Sequence, residues 1–411
     1  MTAAMPDRAA AQSFDLNAIG QDFLDDPFPM YRALRAHDPV HRNPDGTWLL
    51  TRYEDVVQSF KHPAMSSDKK VDFKPKFGDG PLYTHHTTSL VFNDPPIHTR
   101  VRRLLAAAFT PRKIGELEPL IHEVIDDLLD RVAARGRFDV IGDYALALPT
   151  AIISFMLGIP EEHRHRLHNF STLILGALDP VVSSAKMQAG HDAVEEFGAM
   201  LEELIADRRL EPASGAQGEV LAALIFGEVD GEKLSPVELV QNCIFLLNAG
   251  HETTANLVGN CIDMLLDNPG EMQRLRDDPD LISTAVEEAL RYQSPLQIGN
   301  RKAMEDVEFG PPGRRIALPA GTFIHCGVAA ANRDPEVFDD PENVDIGRNP
   351  NPQIAFGTGK HVCMGNTLGR IEGRVAIGKL VARFPDLRRD GPSRFHGRAR
   401  FRGLSTLPVA V

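Results

Sequence analysis

Apolar residues recur at helical spacing through most of the chain, for example in 114–135 and 194–208, and shift to a strand-like pattern only in short pieces such as 41–51 around the Asp45-Gly46 turn. This pattern predicts a mainly α protein with small β sheets. The longest predicted helix has firm ends. Ser235-Pro236-Val237-Glu238 combines a capping box with a proline at the first helical position, and Asn268-Pro269-Gly270 stops the helix after Asp267. Such a helix is about 48 Å long. Its stretch 239–249 is apolar on nearly every face, as expected of a helix buried all round. Further helices are predicted after Pro95-Pro96, over 281–290, and on Leu368, Ile371 and Val375, with a strand over 296–300 and a loop over 66–93. No linker, repeat or low-complexity run divides the chain, so 14–411 reads as a single large domain behind a flexible tail, 1–13.

Composition narrows the function. The net charge of −13 argues against nucleic acid as a partner. Four cysteines, Cys243, Cys261, Cys326 and Cys363, share no CxxC spacing and suggest neither a disulfide framework nor a zinc site. No apolar run reaches the roughly 18 residues of a membrane span, and a cytoplasmic protein without membrane contact is expected.

Chemistry concentrates in four places. Phe356-Gly357-Thr358-Gly359-Lys360-His361-Val362-Cys363-Met364-Gly365 places one cysteine in a glycine-rich loop just before a helix. The helix dipole and unpaired N–H groups there favour a thiolate, and the glycines let the backbone lie against a large flat partner. A thiolate presented to a planar cofactor fits an axial haem ligand; the bland alternative is a structural cysteine in a turn. In the long helix, Ala249-Gly250-His251-Glu252-Thr253-Thr254 sets a carboxylate beside hydroxyls within apolar surroundings, which is costly unless they have work or partners. Threonine there can also bond back to a carbonyl and bend the helix. His98 and Arg102 stand four apart on one helical face, and Glu288 and Arg291 stand three apart in an apolar helix.

In this order the four motifs closely resemble those of cytochrome P-450 enzymes, from about Phe14 to the end of the chain. The resemblance implies the cytochrome P-450 fold and a haem b (iron protoporphyrin IX) cofactor, with Cys363 as metal ligand. It also implies His98, Arg102, Arg301 and His361 at the haem propionates, with Phe356, Gly365 and Ala249 as further haem contacts. Glu252 and Thr253 become the proton-delivering pair. Glu288, Arg291 and Arg348 become a structural triad bracing the cysteine loop. The implied reaction inserts one atom of O2 into a small organic substrate, with electrons from a separate ferredoxin and its NAD(P)H-dependent reductase, in a monomeric protein. Peroxide-driven peroxygenation and non-enzymatic haem sensing are the rival readings; neither needs the Glu252–Thr253 pair. Candidate substrate contacts are Phe245, Asn248, Leu296, Ile298 and Phe401. Lys69, Lys70, Lys74, Lys76, His85 and His86 would favour an anionic substrate unless they are simply solvated. Arg103, Arg112, Lys113, Lys360 and Arg370 are candidates for a basic docking patch.

Overall fold

The computed structural model describes residues 7–107, 109–179, 182–210 and 217–411. The chain gathers into two compact units, each built from separate stretches: Met1–Ser67, Asn256–Cys363 and Leu387–Pro408 in the first, Asp68–Ala255, Met364–Asp386 and Val409–Val411 in the second. In the expected tail, residues 1–6 lie outside the described residues. The next few are not loose: Arg8–Gln12 is a helix whose first turn is capped by Asp7, and its Ala11 is fully buried.

The first unit is organised on a five-stranded sheet, in spatial order Val40–Arg42, Trp48–Leu50, Phe323–Gly327, Ile298–Ala303 and Met65–Ser66. Val40 pairs with Leu50 in the predicted hairpin, whose turn contains Gly46 at φ 87°, a left-handed value that glycine adopts without a Cβ clash. One face of the sheet buries Val56, Phe60, Phe309, Ile324 and Ile354. A second cluster joins Phe14, Phe28, Tyr31, Leu34, Leu49 and Ile298.

The second unit is helical. Ser184–Leu210, which contains the predicted 194–208, packs against Glu161–Gly176, where Phe170 and Phe197 stack with ring centroids 5.1 Å apart. Glu118–Ala133 lies against Asn366–Arg383, and Lys379 pairs with Asp126 at 2.7 Å. The run predicted as one helix over 114–135 is two, Pro111–Gly115 and Glu118–Ala133. Pro119 has no N–H to continue the ladder, so the chain restarts there. The expected loop over 66–93 also differs, since it holds helices Lys70–Phe77 and Pro81–Thr88 and the short turn Leu90–Phe92.

The long helix runs Pro236–Asp267, the predicted span, starting in the second unit and ending in the first. Its capping box is closed. The Ser235 amide donates to Glu238 Oε2 at 2.9 Å, and the Glu238 amide donates to Ser235 Oγ at 3.3 Å. Among the described residues no single helix is long and apolar enough to cross a membrane.

Candidate functional site

Residues 355–366 are all half-buried or exposed, although Ile354 and Leu368 on either side are buried. Cys363 is held by its backbone: its amide donates to the Phe356 carbonyl at 2.9 Å, closing the loop behind the thiol. Gly357 and Gly359 have φ of 68° and 73°. Gly359 is also pressed onto the chain, since a Cβ there would meet the Phe60 carbonyl oxygen at 2.6 Å. The loop therefore needs glycine for conformation and for approach, and it leaves the thiol half-open. The other cysteines are buried. Burial pushes the thiols of Cys243 and Cys261 up to about 12. Cys326 is fully buried in the sheet core, with its Sγ 3.3 Å from Ser59 Oγ. Only Cys363 combines access with a glycine-rich loop. His361 sits two residues before it in the turn Gly359–His361, and Arg301 lies with its guanidinium 4.8 Å from the Phe60 ring centroid.

Glu288 and Arg291 are fully buried on the helix Ile282–Tyr292 and make a two-pronged pair, with both N–O distances 2.7 Å. Arg348 joins at 3.1 Å from Glu288 Oε2. Further partners were not legible beforehand. The Asp345 amide and Asn351 Nδ2 donate to Glu288 at 3.0 and 3.2 Å, and Arg291 donates to the carbonyls of Asn332, Pro341 and Asn343. Asn332 adds a second brace, its Oδ1 accepting the Ile354 amide at 2.8 Å at the foot of the cysteine loop. Charge pairing and hydrogen bonding are thus complete around a pair that would otherwise be costly to bury.

Leu296 and Phe401 are brought together by an isolated antiparallel bridge, and both are half-buried. Ile298, expected beside them as a substrate contact, is 3% exposed and packed in the cluster of Leu49 and Ala329.

In the second unit the long helix is buried except along one stripe. Phe245, Gly250 and Thr253 are half-buried and Ala249 is exposed, and a Cβ on Gly250 would meet nothing within 4 Å. Thr253 Oγ1 donates to the Ala249 carbonyl at 2.6 Å, the expected back-bond. Glu252 beside it is 7% exposed. On other faces His251 Nε2 lies 2.9 Å from Thr150 Oγ1, and burial, aided by His168, lowers its pKa to about 3. Thr254 Oγ1 donates to Glu372 Oε2 at 3.3 Å. Burial pushes that carboxyl up to about 8 against the opposing hydrogen bond. Glu372 carried no motif and was missed.

His98 is buried and Arg102 half-buried, one turn apart on Ile97–Ala106, and Gly365 caps Asn366–Arg383. The basic residues expected to attract an anion are largely engaged: Lys70 with Asp68, Lys74 with Asp79, and Lys76 with the Asp179 carbonyl. Lys69 is fully buried. Burial lowers the pKa of His85 to about 4, against the hydrogen bond that its ring donates to Gln241 Oε1, so it is neutral near pH 7. The docking candidates Arg103, Arg112 and Lys113 pair with Asp230, Glu116 and Glu219, whereas Lys360 is exposed.

Residues 41–388 match the family model described as Cytochrome P450. The chain is 38% identical over 413 residues to cytochrome P450 107B1 of Saccharopolyspora erythraea, covering 96% of this chain and 97% of that one. It is 38% identical over 396 residues to the vitamin D(3) 25-hydroxylase of Pseudonocardia autotrophica, covering 95% and 94%. Among solved structures it is similar to P450BioI, crystallised with an acyl carrier protein bearing hexadec-9Z-enoic acid, at a TM-score of 0.88 and 34% identity, covering 95% and 99%.

Proposed function

Since the chain belongs to the cytochrome P450 family, and is thereby a haem-dependent monooxygenase acting on an organic substrate with dioxygen, we propose that Cys363 is the thiolate that holds the haem iron. The observation that carries this assignment is the half-open glycine loop, in which Cys363 alone of the four cysteines is not buried. When bound, the haem supplies the activation of dioxygen and the transfer of one oxygen atom to substrate.

The chain's own residues bind, orient and move protons. His98, Arg102, Arg301 and His361 offer donors for two propionates, whose burial calls for charge-assisted partners. Phe356, Gly365 and Ala249 complete the contacts. Glu288, Arg291 and Arg348 hold the loop in place without touching the reacting atoms. Thr253 already donates its proton to Ala249, which leaves its oxygen lone pairs free to accept one. Glu252 is adjacent and returns protons to the threonine. Phe245, Asn248, Leu296 and Phe401 contact substrate. Electrons come from a separate ferredoxin and its NAD(P)H-dependent reductase, and the protein works as a cytoplasmic monomer.

The test is a pair of variants. Cys326→Ser should keep the thiolate-type absorption band of the reduced, carbon-monoxide-bound protein, and Cys363→Ser should lose it. The reverse result would overturn the assignment. Turnover that requires ferredoxin and reductase, and that Thr253→Ala uncouples from oxygen consumption, supports the proton role. Equal turnover on peroxide alone would favour peroxygenation.

A further inference from the structure

The second unit contains a polar chain that the oxygen chemistry does not use. Gln241 Oε1 lies 3.1 Å from His85 Nδ1, and His85 Nε2 lies 3.3 Å from Asn248 Nδ2. Gln241 and Asn248 stand on the long helix, and His85 reaches them from Pro81–Thr88. His85 and Asn248 are each 2% exposed.

Donor and acceptor roles follow from this order. An amide oxygen facing Nδ1 needs the imidazole proton there, so Nε2 is left with a lone pair. That lone pair accepts from the Asn248 amide N–H. The imidazole is in the neutral form this requires, as its lowered pKa indicates. His85 is itself fixed, with its neighbour His86 packed among Phe73, Phe77 and Phe92 at centroid distances of 5.7, 5.2 and 5.6 Å.

The chain ends at Asn248 with its carbonyl oxygen over. Asn248 Oδ1 is buried and has no hydrogen-bond partner. Leaving such an acceptor unmet is costly, and it can be met by a ligand. Its position suits this. At helical spacing Asn248 lies within a turn of Phe245 and Glu252, on the buried flank of the helix's exposed stripe. An aliphatic side chain there would have required no such support.

We propose that Asn248 is a specificity-determining residue, held by His85 and Gln241 so that its carbonyl oxygen accepts a hydrogen bond from a hydroxyl or N–H group on an otherwise apolar substrate. This rests on the monooxygenase reading above and assigns the substrate class of that site. The engaged lysines of 68–93 agree with a neutral donor group over a carboxylate.

The experiment titrates the haem-loaded enzyme with matched pairs and reads the low-to-high-spin shift. Testosterone, cyclododecanol and tetradecanol are each compared with their methyl ethers, which keep the oxygen acceptor and lose the donor. The wild type should bind at least one alcohol about tenfold more tightly than its ether, the size of one hydrogen bond. Asn248→Leu should abolish that preference. His85→Phe should shrink the preference, since the amide would lose its orientation. The carbon monoxide band and helical circular dichroism report whether each variant is intact. The inference is overturned if no alcohol binds, if the ethers bind as well, or if Asn248→Leu keeps the preference. A wild type lacking the thiolate-type band would instead defeat the monooxygenase reading itself.

Discussion

Replacing Glu372 with glutamine should change how stability depends on pH more than it changes stability at any one pH. Glu372 is buried on Asn366–Arg383 against Thr254, and its carboxyl titrates near 8 when folded and near 4.5 when exposed. Between these values the folded state holds a proton that the unfolded state has released. Stability contributed by the group is therefore complete below the unfolded pKa and is lost as pH rises toward the folded one. The slope is about 1.4 kcal/mol per pH unit, which is roughly 2 kcal/mol between pH 6 and pH 8, and it flattens above pH 8. Glutamine keeps the shape and the capacity to accept from Thr254 but carries no titrating proton. The assay is denaturant unfolding of the haem-loaded protein at pH 6, 7, 8 and 9, followed by haem absorption and circular dichroism. The wild-type midpoint should fall relative to Glu372→Gln across this range and then run parallel to it. Parallel curves from pH 6 to 8 would mean that the carboxyl is already ionised in the folded protein, against the burial argument.

Two further changes probe the cysteine loop. Glu288→Ala leaves the fully buried Arg291 without its carboxylate, a loss of about 3–5 kcal/mol, and should abolish haem incorporation; normal haem content in the purified variant would refute it. Gly359→Ala sets a methyl group 2.6 Å from the Phe60 carbonyl oxygen at a left-handed φ, so the loop must shift. That variant should fold, show normal helical circular dichroism and retain haem several-fold more weakly on challenge with apomyoglobin; unchanged retention would show that the loop yields easily.

What was legible in the chain follows from how local each signal is. The long helix could be bounded at both ends because the capping box and Asn268-Pro269 lie within a few residues of the ends they define. The Glu288–Arg291–Arg348 triad was legible through its motif. Its carbonyl cradle from Asn332, Pro341 and Asn343 was not, because backbone acceptors leave no mark on residue type. Residues 66–93 read as a loop because Lys70–Phe77 and Pro81–Thr88 are too short to show periodicity and are separated by Gly78-Asp79-Gly80. The lysines there read as a charged surface until their acidic and carbonyl partners were in place. The Gln241–His85–Asn248 chain spans two distant segments, and only the unusual amide at 248 hinted at it.

The seat of Gly359 on the Phe60 backbone has a consequence for the order in which the protein is made. The two residues are about 300 positions apart, so at 5–20 residues per second the ribosome delivers the loop roughly 15–60 s after its floor. For most of that interval the N-terminal segment waits with Phe60 and its neighbours uncovered by the strands 298–303 and 323–327 that will bury them. The loop proposed to hold the haem is among the last parts of this unit to be made, so capture through Cys363 waits until that loop has emerged. Cells that make the chain faster than they supply haem will accumulate a species complete in sequence whose cysteine loop has a floor and no guest.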